Sequence, residues 1–141
     1  MTLPAYAMKL TSFPEMYEQY LVEPLFRPFA EAVLDRVALT VCERMEFDED
    51  TSSQVSMSVI EAGTNAIQHG HKRDASKYFE VEFRLFPDRL EVDVRDHGAG
   101  FDLAKVVPDV TSPERLLDMR GRGIFIMRSC MDTVDFEFTS S

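Results

Sequence analysis

Apolar residues recur every three or four positions along a long stretch in the first third of the chain. The members of this stripe are Phe29, Ala30, Val33, Leu34, Val37, Ala38 and Val41. Such spacing predicts an amphipathic helix over about 25–45, with Pro28 in the first turn, where a proline is tolerated. The acidic stretch 46–50 that follows predicts a solvated loop.

A second stretch of helical spacing follows Thr51, Ser52 and Ser53, which are good N-terminal caps. Its apolar positions are Val55, Val59, Ala62, Ala66 and Ile67. Because glycine commonly lies just past the end of a helix, we expect this helix to stop near Gly70.

Strict alternation of apolar and polar residues marks the strands. Residues 78–86 and 90–96 alternate on either side of the turn at 87–89, which predicts an antiparallel hairpin with one solvated face. Residues 133–138 alternate again, and residues 5–12 predict a short opening strand.

The rest of the second half predicts a loop and a helix. Residues 97–113 predict an extended loop, and residues 114–131 predict helical stretches around a glycine–arginine break at 120–123. The order of elements is therefore strand, helix, helix, two strands, loop, helix and strand. With its helices on one face of a mainly antiparallel sheet, this order predicts an α+β two-layer sandwich.

Length and charge restrict the function. The 141 residues contain no internal repeat, so we expect a single domain over 1–141. Lys and Arg number 15 against 25 Asp and Glu, and this net charge of -10 argues against direct binding to nucleic acid or to an anionic membrane.

The start of the chain lacks the apolar core of a signal peptide, and no apolar run reaches the ~18 residues that span a bilayer, so a cytoplasmic protein is expected. Cys42 and Cys130 predict reduced, buried thiols.

The second predicted helix carries a polar stripe. Glu61, Asn65 and His69 are four residues apart, so they would lie above one another on a helix. A carboxylate one turn from an amide oxygen suits a Mg²⁺ site with a base beside it, because Mg²⁺ takes few protein oxygens and completes its shell with water and phosphate. The alternative is that the stripe is simply the solvent face. Gly63 indicates either close packing against a backbone or ligand, or an ordinary surface glycine.

A glycine-rich motif directly follows the second strand of the hairpin and reads Asp96-His97-Gly98-Ala99-Gly100-Phe101. Two glycines separated by one residue let the backbone approach a ligand, and a carboxylate at a strand end can accept a hydrogen bond from an exocyclic amine. The alternative is an ordinary glycine turn in which Asp96 caps its own loop.

A third motif, Arg120-Gly121-Arg122-Gly123, precedes an apolar run. Small residues before a helix leave its first N–H groups accessible to phosphate. Residues 113–128 contain four arginines and two acidic residues, which gives this stretch a local charge of +2 in an acidic chain. The alternative is a flexible basic loop without a ligand. The spacing matches neither a P-loop nor a dinucleotide-binding motif.

In their order along the chain, these motifs resemble the N, G1 and G2 boxes of the GHKL ATPases. The shared patterns are Glu-x-x-x-Asn-Ala-x-x-His on a helix, Asp-x-Gly-x-Gly-Phe after a strand and Gly-x-Gly before a helix. That superfamily includes the nucleotide domains of gyrases, chaperones and histidine kinases. The compact size and the tail over 121–135 resemble the RsbW-type anti-sigma-factor serine kinases, and the likeness covers roughly residues 25–138.

The resemblance implies roles for individual residues. Asn65 matches the Mg²⁺-coordinating asparagine, Glu61 the carboxylate proposed as general base, and Asp96 the adenine-binding aspartate. In this family, the glycines beside the phosphates lie at the end of a flexible lid, which here would be about 101–122. The glycines that match those lining the nucleotide and its phosphates are Gly98, Gly100, Gly121 and Gly123.

Two further residues are assigned from their charge and position alone. Arg120 and Arg122 lie where they would clamp the γ-phosphate. In sensor histidine kinases the position of Glu61 is usually asparagine. A glutamate suits a hydroxyl acceptor, whose proton needs a base, better than it suits an already nucleophilic imidazole.

The resemblance therefore implies an ATP-dependent protein serine kinase that uses ATP and Mg²⁺. Its expected partners are an anti-sigma-antagonist protein, which it would phosphorylate, and a sigma factor, and homodimerisation is implied as well. Two other functions stay open: a nucleotide-gated binding module of the same fold without kinase activity, and a scaffold that has lost its nucleotide. A metal hydrolase using His69 and His71 is disfavoured, because residues two apart do not share a helix face.

Members of this family normally continue past the last strand predicted here into a Gly-Thr turn and a further strand. This chain ends at Ser140-Ser141. Either the sequence stops short of the final strand, or the domain lacks that part of its sheet and of its phosphate contacts. Loss of that strand would leave the edge of residues 134–138 open.

Overall fold

Three strands and three α-helices form within the residues that the computed structural model describes, which are 5–11, 23–71, 78–101 and 119–138. In chain order they are β1 (Ala5–Thr11), α1 (Glu23–Arg44), α2 (Glu49–Asn65) with a π-helical continuation (Ala66–His71), β2 (Tyr78–Leu85), β3 (Leu90–Arg95) and α3 (Met119–Cys130). The predicted α+β class is confirmed.

The sheet is antiparallel and has the order β1-β2-β3. The predicted hairpin is confirmed: Val81 lies opposite Val94 and Phe83 opposite Val92, and the turn is closed by the Phe86 N–H, which donates to the Arg89 carbonyl at 2.9 Å. Because side chains alternate along a strand, β2 sends every second residue into the core. These buried residues are Phe79, Val81, Phe83 and Leu85.

The other face of the hairpin is polar. The Arg84 guanidinium lies 2.8 Å from an Asp93 carboxylate oxygen, and Arg95 lies 3.1 Å from the same side chain. Arg95 also lies 3.4 Å from Glu82. These side chains are about a third or more exposed, so the ion pairs stabilise the sheet only slightly. They give the face the solvated character that the alternation predicts.

Helices α1 and α2 cover the apolar face of the sheet. Leu34, Ala38 and Cys42 of α1 are fully buried, and Val59 of α2 packs with them against β2. Burial raises the pKa of the Cys42 thiol, and a hydrogen bond with Ser52 lowers it by less. This thiol is free and buried as predicted. Cys130 is also free but only half-buried, because it is the last residue of α3.

The start of α2 differs from the prediction, whereas its end does not. The helix begins at Glu49, because the Asp48 carboxylate accepts the Thr51 N–H at 2.7 Å and caps it. Glu49 and Asp50 therefore belong to the first turn, where the helix dipole favours acidic residues, and not to an acidic loop. At the other end the π-helical continuation ends at His71, which confirms the predicted end near Gly70.

The glycine–arginine stretch 120–123 does not break the third helix. It lies inside α3, whose first residue is Met119. Glycine lowers helix propensity by only about 1 kcal/mol, which packing against α2 can offset. Of the predicted lid over 101–122, residues 119–122 are therefore helical, and residues 102–118 lie outside the described residues.

The strand predicted over 133–138 is wrong for the described part of the chain, where no strand pairs with this segment. Its alternation nevertheless corresponds to burial. Val134 and Phe136 are half-buried, whereas Asp135 and Glu137 are exposed. Alternation of apolar and polar residues indicates which side chains of a segment face the protein interior. A strand forms only when a neighbouring backbone also supplies hydrogen bonds.

Among the described residues, no helix is both long enough and apolar enough to cross a membrane.

We expect Gly63→Ala to destabilise the protein by roughly 1–3 kcal/mol, although alanine is the better helix former. A Cβ at Gly63 would collide with Leu34 Cδ1 and lie 3.5 Å from the Phe79 ring. Urea unfolding followed by circular dichroism measures the change. In a Leu34→Val background, which lacks that Cδ1 atom, the same substitution should cost clearly less. Equal costs in both backgrounds would contradict this close contact.

Candidate functional site

Glu61 and Asn65 face the N-terminal part of α3. They lie one turn apart on α2, and both are half-buried. A Cβ placed on Gly123 would lie 2.8 Å from Glu61 Oε2 and 3.5 Å from Asn65 Nδ2. The structure thus brings three predicted site residues together, and the two polar side chains do not form the open solvent face of the alternative reading.

Gly123 is buried because the α3 backbone runs directly beside these two side chains. Any larger residue would displace the Glu61 carboxylate or move the helix. Since α3 begins at Met119, its first N–H groups, which have no acceptor within the helix, lie about one turn before Gly123. A carboxylate, an amide and the positive end of a helix dipole are therefore adjacent, a combination suited to phosphate and its counter-ion.

His69 does not continue the stripe in α-helical register. It lies in the π-helical segment, where hydrogen bonds span five residues and not four. The four-residue spacing that stacks Asn65 above Glu61 therefore ends at Asn65.

The Asp96 loop is held by its own aspartate. Asp96 is exposed and follows β3, and one of its carboxylate oxygens accepts the Gly98 N–H at 2.8 Å. This is the self-capping turn that sequence reasoning offered as the alternative, and it uses only one of the two carboxylate oxygens. Gly100 has φ 73°, in the left-handed region that favours glycine.

The predicted arginines lie at the start of α3. Arg120 and Gly121 belong to its first turn, where the side chain of Arg120 lies outside the described residues. Arg122 is exposed, and no described residue forms an ion pair with it. Within the described ranges no group of three or more His, Cys, Asp or Glu side chains is placed to hold a metal ion.

Sequence reasoning missed an aromatic cluster beside the Asp96 loop. We use this name for Phe101, Phe136 and Phe138. The ring of Phe101 lies 5.6 Å from that of Phe136 and 5.1 Å from that of Phe138, both edge-on. Phe101 belongs to the glycine motif, and the sequence pattern predicts Phe136 and Phe138 in a strand. Nothing in that pattern indicates that the three rings are in contact.

The comparisons with known proteins bear on this arrangement. The profile of the family described as the histidine kinase-like ATPase domain matches residues 27–140. The chain belongs to this family. The resemblance drawn from the three motifs is thereby confirmed.

Curated relatives of this family share about a third of their residues with the chain. The Serine-protein kinase RsbW of Bacillus subtilis (strain 168) is 35% identical over 67% of this chain and 62% of its own length. The protein of the same name from Bacillus cereus (strain Q1) is 32% identical over 73% of this chain and 67% of its own. The matched region thus spans about two thirds of the length of these relatives.

We expect Gly123→Ala to fold normally and to bind Mg²⁺-ATP roughly tenfold more weakly or worse, because the added methyl group meets Glu61 Oε2. Calorimetric titration measures the affinity, and thermal unfolding checks the fold. When Glu61→Ala already removes the carboxylate, the added methyl group should have a smaller effect. Unchanged affinity in Gly123→Ala would show that the close packing at this position does not matter for the nucleotide.

Proposed function

We propose that the chain is an ATP-dependent protein serine kinase that phosphorylates an anti-sigma-antagonist protein and sequesters a sigma factor. The observation that carries this proposal is the close packing of Glu61 and Asn65 of α2 against Gly123, in the N-terminal part of α3. Membership of the histidine kinase-like ATPase family supports ATP as the nucleotide. The name of the relatives, Serine-protein kinase RsbW, supports serine as the acceptor.

The nucleotide would lie between the two glycine motifs. The carboxylate oxygen of Asp96 that its own turn leaves unused would accept a hydrogen bond from the exocyclic amine of adenine. Gly98 and Gly100 would line the base. At the other end the phosphates would meet the first N–H groups of α3. The residues assigned to that end are Arg120, Gly121, Arg122 and Gly123.

The residues of α2 fit a magnesium ion shared with phosphates. Mg²⁺ prefers oxygen ligands, takes few of them from protein and accepts the rest from phosphate and water. The Asn65 amide beside the α3 terminus meets this requirement, so Asn65 would hold the ion. When bound, Mg²⁺ would neutralise charge on the phosphates of ATP.

Glu61 would serve as the general base. The serine oxygen attacks the γ-phosphorus in line, the bond from that phosphorus to the bridging oxygen of ADP breaks, and the hydroxyl proton passes to the Glu61 carboxylate. The products are phosphoserine and ADP. A half-buried carboxylate fixed against Gly123 is held in one place for this transfer.

We expect Glu61→Gln to bind ATP like the wild type but to transfer phosphate roughly 10²–10⁴-fold more slowly, because the amide cannot accept the proton. Single-turnover formation of phosphoserine on a purified anti-sigma-antagonist protein measures the rate. Glu43→Gln, which changes an exposed glutamate of α1, is the matched control and should react normally.

Phosphotransfer at the normal rate in Glu61→Gln would remove the base from the mechanism. A wild-type protein that releases its partner on addition of ATP but forms no phosphoserine would instead be a nucleotide-gated binding module of the same fold.

We expect Asn65→Ala to lose the part of the ATP affinity that depends on Mg²⁺, because its amide oxygen is the assigned ligand. Titration with ATP in the presence of Mg²⁺ and in the presence of EDTA separates the two parts. Gln54→Ala removes an exposed amide from the same helix and should change neither. If Asn65→Ala keeps the full response to Mg²⁺, the metal assignment is wrong.

A further inference from the structure

The loop over 96–101 is fixed at both of its ends. At its start Asp96 follows β3 and accepts the Gly98 N–H at 2.8 Å. At its end Phe101 is half-buried and packs edge-on against Phe136 and Phe138, with ring centroids 5.6 and 5.1 Å away. Between these two points lie two glycines, which would otherwise leave the loop a wide choice of conformations.

Phe138 also covers the most constrained residue of the loop. Gly100 has φ 73°, and a Cβ on it would lie 2.9 Å from Phe138 Cδ1. The ring of Phe138 therefore occupies the space next to the left-handed turn. Although the ring is 50% exposed, its inner edge makes these two contacts with the loop.

The segment that carries Phe136 and Phe138 is itself anchored to α3. The Met131 N–H donates to the Met127 carbonyl at 2.9 Å, and the Met131 side chain packs against the core. Met127 is buried in α3, the helix whose start faces Glu61. A short stretch of chain thus joins the helix at the phosphate end of the proposed site to the loop at its adenine end.

We propose that Phe136 and Phe138 are positioning residues for adenine-nucleotide binding, acting through Phe101 on the Asp96–Gly100 loop. The proposal rests on the proposed function for the identity of the ligand, but the ordering of the loop by the aromatic cluster does not depend on it. A loop that is already ordered loses less conformational freedom when it binds, so removal of the cluster lowers affinity.

The effect has a distinct signature. Because the cluster acts at the adenine end, ADP and ATP lose affinity by the same factor, with and without Mg²⁺. An edge-to-face aromatic contact corresponds to a change of about two- to twelvefold. The stability of the fold changes little, since Phe138 is half exposed.

Calorimetric titration with ADP and with ATP, each with Mg²⁺ and with EDTA, tests this signature in Phe138→Ala and Phe136→Ala. Phe138→Tyr keeps the aromatic ring, so this variant should bind both nucleotides with wild-type affinity. Phe125→Ala is the matched control, since Phe125 is a phenylalanine of α3 with a similar exposure of 47%. Wild-type affinities in both alanine variants, or a loss that appears only with Mg²⁺, would overturn the proposal.

A second measurement needs no nucleotide. The chain has six glycines, so ¹⁵N-glycine labelling gives a spectrum in which Gly98 and Gly100 can be followed individually. Their heteronuclear NOE values should fall in Phe138→Ala and not in Phe125→Ala, while Gly63 in the core keeps its value. Unchanged values at Gly98 and Gly100 would overturn the proposal. If the wild-type protein binds no adenine nucleotide, the proposed function fails, and this experiment still decides whether the aromatic cluster orders the loop.

Discussion

The close approach of α3 to α2 at Gly123 is the contact on which the site depends. Without a side chain at this position, the helix backbone comes within reach of the Glu61 carboxylate and the Asn65 amide. Gly123 is the fifth residue of α3, so the contact lies about one turn from the unpaired N–H groups at the start of that helix. The proposed chemistry, with its base, metal ligand and phosphate cradle, thus depends on one buried glycine.

A second close contact supports the first. Gly63 lets Leu34 of α1 pack into the opposite side of α2, and Phe79 of β2 completes that packing. The two glycine contacts lie on different faces of α2, which is held between α1 and α3. The helix that carries Glu61 is therefore held against both α1 and α3, as the proposed role of Glu61 as a base for a hydroxyl group requires.

The sequence predicts most of the fold because its periodicities are long and consistent. The hairpin, α1 and α2 form as expected, and each has a regular pattern over six or more residues. The opening strand also forms, although its residues do not alternate regularly. The errors arise where tertiary contacts decide. Gly123 packs against Glu61 inside a helix, where the sequence predicts a break, and residues 133–138 alternate without a partner strand among the described residues. The motifs also group Glu61, Asn65 and Gly123, which the structure places side by side, but no local pattern indicates that Phe101 contacts Phe136 and Phe138.

The aromatic cluster has a consequence for how this domain would exchange information with a partner. Coupling between a ligand and a distant segment is reciprocal by thermodynamic necessity. If Phe136 and Phe138 raise adenine-nucleotide affinity, bound nucleotide holds residues 131–138 more tightly by the same factor. A protein that binds this segment would then sense whether the domain holds an adenine nucleotide, without touching the nucleotide itself.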